Sequence, residues 1–423
     1  MGVSDSLAKS YRSKTSKANV PGLQSRRSLF GMAAAGGIVA VLPGCTIPQR
    51  GPPVPMERTT QASVLGVPNE RFFPLYGTEP LEAEFQMAER RQRQTLGLAQ
   101  DAPLPAVQFL AVSGGGENGA FGAGVLCGWS EQGTRPEFEL VTGVSTGALT
   151  APFAYLGSRY DPQLRAVYTE LTPSHVLLKR YLTAALFDDA MADNSPLYET
   201  ISRYLNKEML AAVAKSYEDG RLLLIASTDL DSQQPVIWNV GAIAASGHPR
   251  ALDTIRRLLL ASAAIPAAFP PTMFDVTLEG KAYQEMHVDG GAFAQAFLYP
   301  AAVTRERRQR LKRGQRVVPG VAYIIRNGRL DPEWAVTERR TLGIAGRAIA
   351  TMIAASGYND VLRMYNTTLH DGIDFNLAYI GSDFTMELPE PFDPPYMRAL
   401  FDYGYQRALG GYEWSKEPPH PQG

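Results

Sequence analysis

The chain has 423 residues, 45% of them hydrophobic and 20% charged. That is the composition of an ordinary globular protein, and it excludes a disordered, collagenous, coiled-coil or polytopic membrane chain. Lys and Arg number 41 against 42 Asp and Glu, a net charge of −1, which leaves no electrostatic case for nucleic acid as a partner.

Residues 1–27 carry Lys9, Arg12, Lys14, Lys17, Arg26 and Arg27 against one acid, Asp5. An uncharged apolar stretch from Leu29 to Leu42 follows and ends in Pro43-Gly44-Cys45. A basic region, a short apolar segment and a small residue form the anatomy of an export signal. The stretch is shorter than the roughly 20 helical residues that span a bilayer. Ser25-Arg26-Arg27-Ser28-Leu29-Phe30 resembles a twin-arginine signal. Leu42-Pro43-Gly44-Cys45 resembles a bacterial lipobox, whose cysteine is diacylated and becomes the mature N-terminus. These segments predict an exported lipoprotein of the cell envelope, held to the membrane through Cys45 once residues 1–44 are removed.

Residues 45–79 then read as a Pro-rich tether, extended and unpacked. The other cysteine, Cys127, reads as a small buried core residue. A helix over 80–100 leads into the main domain at 80–300, and residues 301–423 read as an α/β extension packing on that same domain.

Val107–Val112 has strand length and composition and runs into Ser113-Gly114-Gly115-Gly116-Glu117-Asn118-Gly119, after which Ala120–Trp129 reads as a helix. Consecutive glycines at a strand-to-helix turn let backbone N–H groups converge without Cβ obstruction, and a helix N-terminus adds positive partial charge. Such a loop suits a phosphate or the oxyanion of acyl transfer. It lacks both the Gly-Lys-Ser/Thr ending and the downstream acid of the nucleotide-binding loops.

The next unit decides between those readings. Phe138–Thr142 is a strand candidate entering Gly143-Val144-Ser145-Thr146-Gly147, with a helix from Ala148. Gly-x-Ser-x-Gly at a strand-to-helix boundary is a nucleophile elbow, with Ser145 at a helix N-terminus on the carboxyl edge of the sheet. An α/β-hydrolase would add an acid and then a histidine, for which His370 is the candidate. The other option is Asp289 in Met286-His287-Val288-Asp289-Gly290-Gly291, where a short strand ends in an acid followed by two glycines. A carboxylate within hydrogen-bond reach and partly desolvated serves as base. Asp229 and Asp231, after another strand, read as turn residues.

Three ordered motifs, Gly114-Gly115-Gly116-Glu117-Asn118-Gly119, Gly143-Val144-Ser145-Thr146-Gly147 and Asp289-Gly290-Gly291, resemble those of the patatin-like phospholipase family. Ile225–Asp231 with Pro235–Trp238, and Leu259–Pro271, also look like family sequence, so the resemblance spans about residues 107–300. It implies a lipid acyl hydrolase with a Ser145–Asp289 dyad, an oxyanion hole at Gly114, Gly115 and Gly116, an acyl-enzyme, and neither metal nor cofactor. Its substrate would be a phospholipid or another acyl-ester lipid. One departure bears on head-group preference: the family usually has Arg or Lys where this chain has Asn118. Two alternatives remain, a Ser-His-Asp esterase using His370 and a non-catalytic, lipid-binding surface lipoprotein.

The order of elements predicts a three-layer α/β/α sandwich with a mainly parallel sheet, active residues at strand carboxyl ends, and further strands at 317–325 and 374–380. Residues 305–316 carry seven basic side chains and one acid. They read either as a solvated helix face or as a patch for anionic head groups. Residues 341–370 read as a helix that covers the sheet or forms a lid.

Overall fold

The computed structural model describes residues 49–99, 102–176, 178–179 and 192–419; the export signal and Cys45 lie outside them. The strands are β1 (Arg71–Phe72), β2 (Val107–Val112), β3 (Leu140–Val144), β4 (Leu178–Lys179), β5 (Ala192–Asp193), β6 (Leu222–Asp229), β7 (Gln234–Asn239), β8 (Thr272–Leu278), β9 (Lys281–Asp289), β10 (Gly320–Arg326) and β11 (Asp374–Tyr379). The helices begin with α1 (Glu79–Thr95), α2 (Gly119–Gln132), α3 (Thr146–Leu156), α4 (Asp161–Thr169), α5 (Ser195–Tyr204) and α6 (Lys207–Glu218). They continue with α7 (Val240–Ala245), α8 (Ala251–Ser262), α9 (Arg305–Lys312), α10 (Thr341–His370) and α11 (Pro394–Leu409).

The main sheet runs β1-β7-β6-β3-β2-β10-β11, with β8 and β9 as a hairpin alongside β6. Its centre, β6-β3-β2-β10-β11, is parallel, while β7, β9 and β1 join antiparallel. Parallel strands buried on both faces read as continuous apolar runs, and their side chains divide by parity. Leu110, Val112, Leu223 and Ile225 join the core under α2, α3 and α8. Ala111, Leu222, Leu224 and Ile324 join a second core with Leu81 of α1 and Met364 of α10. Two cores on opposite faces of one sheet make three layers, as the element order predicts. Among the helices, α11 lies along α2 so closely that a Cβ on Gly124 or Gly128 would fall 2.1 or 2.2 Å from a carbonyl oxygen of Phe401 or Tyr405.

Residues 50–79 depart from the expected unpacked tether. Arg50 pairs with Asp231 at 2.6 Å, and Gly51 N–H donates to Gln284 Oε1 at 2.9 Å. Ala62, Val64 and Phe72 are buried, β1 pairs with β7, and Arg71 forms a buried ion pair with Glu285. Proline limits helix here to the 3-10 segment Met56–Gln61, and the extended chain on either side can lie along the β8–β9 hairpin and bury its apolar residues. Residues beyond 300 supply β10 and β11 to the same sheet.

The helix over 341–370 has the expected limits, but only its second half covers the sheet. Val361 and Met364 are buried, whereas Ile344, Ile349 and Met352 stand in solvent. The basic helix α9 sits beside the amino ends of β10 and β11. There Arg307 donates to the carbonyls of Asp371 at 2.6 Å and Gly372 at 3.1 Å. That edge is opposite Ser145, and there Arg307 is held by neighbouring backbone carbonyls.

Candidate active site

Strand register brings the two central side chains together. Along one edge of β6, β3 pairs up to Val144↔Ala226. From there β9 takes over antiparallel, with Asp289 opposite Ser227. Ser145 follows the last residue of β3 and Asp289 is the last of β9, so both face the gap where one partner strand replaces the other. Ser145 Oγ donates to Asp289 Oδ2 at 2.5 Å.

Ser145 has φ +55° and ψ −127°, a backbone conformation few non-glycine residues hold without support. Its flanking glycines allow the turn, since a Cβ on Gly147 would sit 2.2 Å from the Val112 carbonyl oxygen and one on Gly143 2.6 Å from that of Gly147. The turn is pinned by Ser262, whose hydroxyl accepts from Ser145 N–H at 3.0 Å and donates to the Ala226 carbonyl at 2.6 Å.

Asp289 is 4% exposed. Its Oδ1 accepts from Gly291 N–H at 2.6 Å, and its backbone is tied to Ala264 and Thr228. Gly290 lies against the Ala226 carbonyl, 2.5 Å from where its Cβ would be, which draws the strand end in beside β6. Burial pushes the Asp289 carboxyl up to about 7, although its hydrogen bonds from Ser145 and Gly291 favour the charged form. A buried acid with that affinity titrates near neutral pH and can take a proton from a hydroxyl and return it.

The glycine loop lies on the other side of Ser145. Of its three glycines, Gly114 is not a free donor: its N–H goes to the Gln295 carbonyl at 2.9 Å. This corrects the expected three-amide oxyanion hole and leaves the amides of Gly115 and Gly116, which have no acceptor among the described residues. Gly119 opens α2 and touches Thr146. Arg326, at the end of β10, donates to the Gly114 carbonyl at 3.0 Å and to Ser113 Oγ at 3.2 Å. Burial lowers its affinity for protons to about 10. A guanidinium on the carbonyl of the Gly114–Gly115 peptide draws electron density from that unit and makes Gly115 N–H a stronger donor.

Ser262 lies within the family-like stretch Leu259–Pro271, whereas neither Arg326 nor Gln295 is marked by a motif. The one available signal was a charged residue closing the otherwise apolar strand Val321–Ile325. Asn118 Oδ1 accepts from Tyr396 of α11 at 2.8 Å, so this position is tied to the fold through a neutral amide.

The described histidines have other partners. His287 is buried between Ser227 and Glu285, at 2.9 and 3.2 Å. His370 Nδ1 lies 2.6 Å from the Asn366 carbonyl at the far end of α10. Asp229 accepts from Asp231 N–H and the Ser232 hydroxyl in the turn after β6, and Asp231 holds Arg50. Cys127 is buried, and desolvation pushes its thiol up to about 12.

A pocket of about 930 Å³, mouth included, opens at Ser145, Thr146 and Gly116 and is otherwise almost wholly apolar. It follows α3 past Leu149 to Phe153, which meets Tyr204 edge-on at 6.4 Å. Phe153 is eight residues along from Ser145, about 12 Å at the helical rise of about 1.5 Å per residue. Glu117 lines the mouth, where burial raises its carboxyl.

The family model described as patatin-like phospholipase matches residues 110–302, which contain Ser145, Asp289 and the glycine loop. Among solved structures, VipD from Legionella pneumophila is similar at 11% identity and a TM-score of 0.30, over 73% of this chain and 67% of that one. No curated protein matches.

Proposed function

We propose that this patatin-like phospholipase domain cleaves the carboxylic esters of lipids through a Ser145–Asp289 dyad. The hydrogen bond between the two side chains, buried at the mouth of a pocket shaped for an acyl chain, carries the reading. An acyl chain enters along α3 and brings its ester carbonyl to Ser145. As Ser145 Oγ attacks, its proton passes to Asp289 Oδ2, and the developing oxyanion takes hydrogen bonds from Gly115 and Gly116 N–H. Asp289 returns the proton to the leaving alcohol, the ester bond breaks, and an acyl-Ser145 remains. Water, deprotonated by Asp289, attacks that ester in turn and releases the fatty acid. The apolar pocket and the absence of a cation in the loop favour selection by the acyl chain over selection by an anionic head group.

The test is fatty-acid release from phosphatidylcholine and lysophosphatidylcholine by purified protein, compared with Ser145→Ala. Release lost in the variant supports the reading. Release equal in both, or absent in both, contradicts it.

The signal-like N-terminus supports a second proposal, that the protein is exported and held to a membrane of the envelope by diacylated Cys45. Two acyl chains anchor stably where one does not. Cys45→Ser should yield soluble protein or an uncleaved precursor, and unchanged processing and membrane association would contradict the anchor.

A further inference from the structure

The unburied half of α10 has a direction. Its second half spans the sheet. Asp371, just after the helix, bonds to residues beside the start of β10, and Gly357 abuts Arg326 at the end of β10. The intervening residues of helix cover about 20 Å at about 1.5 Å each, matching a seven-residue strand at about 3.3 Å each. Residues 341–356 therefore continue past the carboxyl edge of the sheet, the edge that bears Ser145, by about 24 Å. The loop that feeds them leaves from the same edge.

None of residues 331–355 whose exposure is described is buried. Trp334 is 88% exposed, Val336 81%, Met352 70% and Ile349 55%, and Ile344 and Ile353 are also exposed. On a helical wheel Ile344, Met352, Ile349 and Ile353 share one half, with Arg347 on the other. An exposed apolar helix face of this kind marks an interaction site. It is too short to cross a bilayer, and among the described residues no helix is long and apolar enough to do so.

We propose that residues 334–356 are an arm that lies in the interfacial layer of a lipid bilayer and holds the Ser145 edge of the sheet against the membrane. Its charged residues are Glu338, Arg339, Arg340 and Arg347, a net positive set that complements an anionic surface. The arm is also coupled to the site. Asp360, one turn past Gly357, accepts from Gln295 N–H at 2.6 Å, and the Gln295 carbonyl holds Gly114 N–H. The inference rests on the proposed lipid substrate for its purpose, but the arm's chemistry can be tested without turnover. It lies outside residues 110–302.

Of the four tryptophans, Trp129 and Trp238 are buried and Trp414 is half-buried, so Trp334 is a native reporter. Full-length Ser145→Ala protein is titrated with phosphatidylcholine–phosphatidylglycerol vesicles. The expected result is a blue shift of Trp334 emission with quenching by brominated lipid, both lost in a Trp334→Phe background. Replacing Ile349 and Met352 with Asp should abolish the shift whatever the N-terminus does. In otherwise wild-type protein that double substitution should lower hydrolysis of vesicle lipid about tenfold or more and leave a soluble short-chain ester unaffected.

Absence of a vesicle-dependent shift overturns the inference, even if the enzyme hydrolyses lipids. A shift that appears without vesicles and grows with protein concentration also overturns it, in favour of a second copy of the chain. A shift in protein that cleaves no ester supports the arm while defeating the hydrolase reading.

Discussion

Replacing Asp289 with Asn should make the protein inactive and, above neutral pH, more stable. The folded state holds the carboxyl at about 7 against an ordinary 3.8, so it binds a proton that the unfolded chain has released. A carboxyl raised by folding contributes stability that is fully present below its unfolded value and is lost as pH climbs through its folded value. Wild-type stability should fall between about pH 4 and pH 7 by about 4 kcal/mol from this group alone, at about 1.36 kcal/mol per pH unit. Asn has nothing to titrate, and its amide can still accept from Gly291 and donate to Ser145. The urea midpoint of Asp289→Asn should therefore match wild type near pH 4 and exceed it at pH 8. Turnover should fall about a hundredfold or more, because the amide cannot take the serine proton. A midpoint gap equal at pH 4.5 and pH 8, or turnover near normal, would refute the placement of a strained, proton-accepting acid here.

Three further outcomes follow from the same geometry. Arg326→Met should lower kcat by about tenfold to a hundredfold with KM nearly unchanged, since a polarised amide acts on the transition state more than on bound ester; an unchanged kcat would remove Arg326 from the oxyanion account. Ile201→Trp, at the Phe153–Tyr204 end of the pocket, should cut kcat/KM for palmitoyl esters about tenfold or more and spare butyryl esters. An equal loss on both chain lengths would show that the acyl chain does not run along α3. His370→Ala should keep full activity, and a large loss would reinstate the histidine triad.

Much of the fold was legible because a parallel sheet is written in short apolar runs closed by glycine. Val107–Val112 and Gly320–Arg326 lie within three residues of the strands read from the sequence at 107–112 and 317–325. The β8 strand and α11 were missed. The first is a hairpin strand with alternating exposure beside a Pro-rich turn. The second begins at two prolines and buries aromatic residues and Gly404 against α2, an interface no local pattern announces. Ser145 and Asp289 were legible because each ends a strand in a glycine-flanked turn. Their meeting depends on β9 succeeding β3 along β6, which is a matter of register. Residues 50–79 were misread because proline content reports what a segment cannot form and is silent on what it can lie against. Gly114 was misassigned for a related reason, since the direction of its N–H is set by Gln295, far away in sequence.

The central claim is that Ser145 is a nucleophile activated by Asp289. Reacting the protein with a fluorophosphonate and locating the adduct by peptide mass spectrometry tests it most directly. The account predicts a single adduct on Ser145, formed faster as pH rises through about 7 and about a hundredfold more slowly in Asp289→Asn. Failure to label Ser145, or labelling that Asp289→Asn leaves at the wild-type rate, would contradict it.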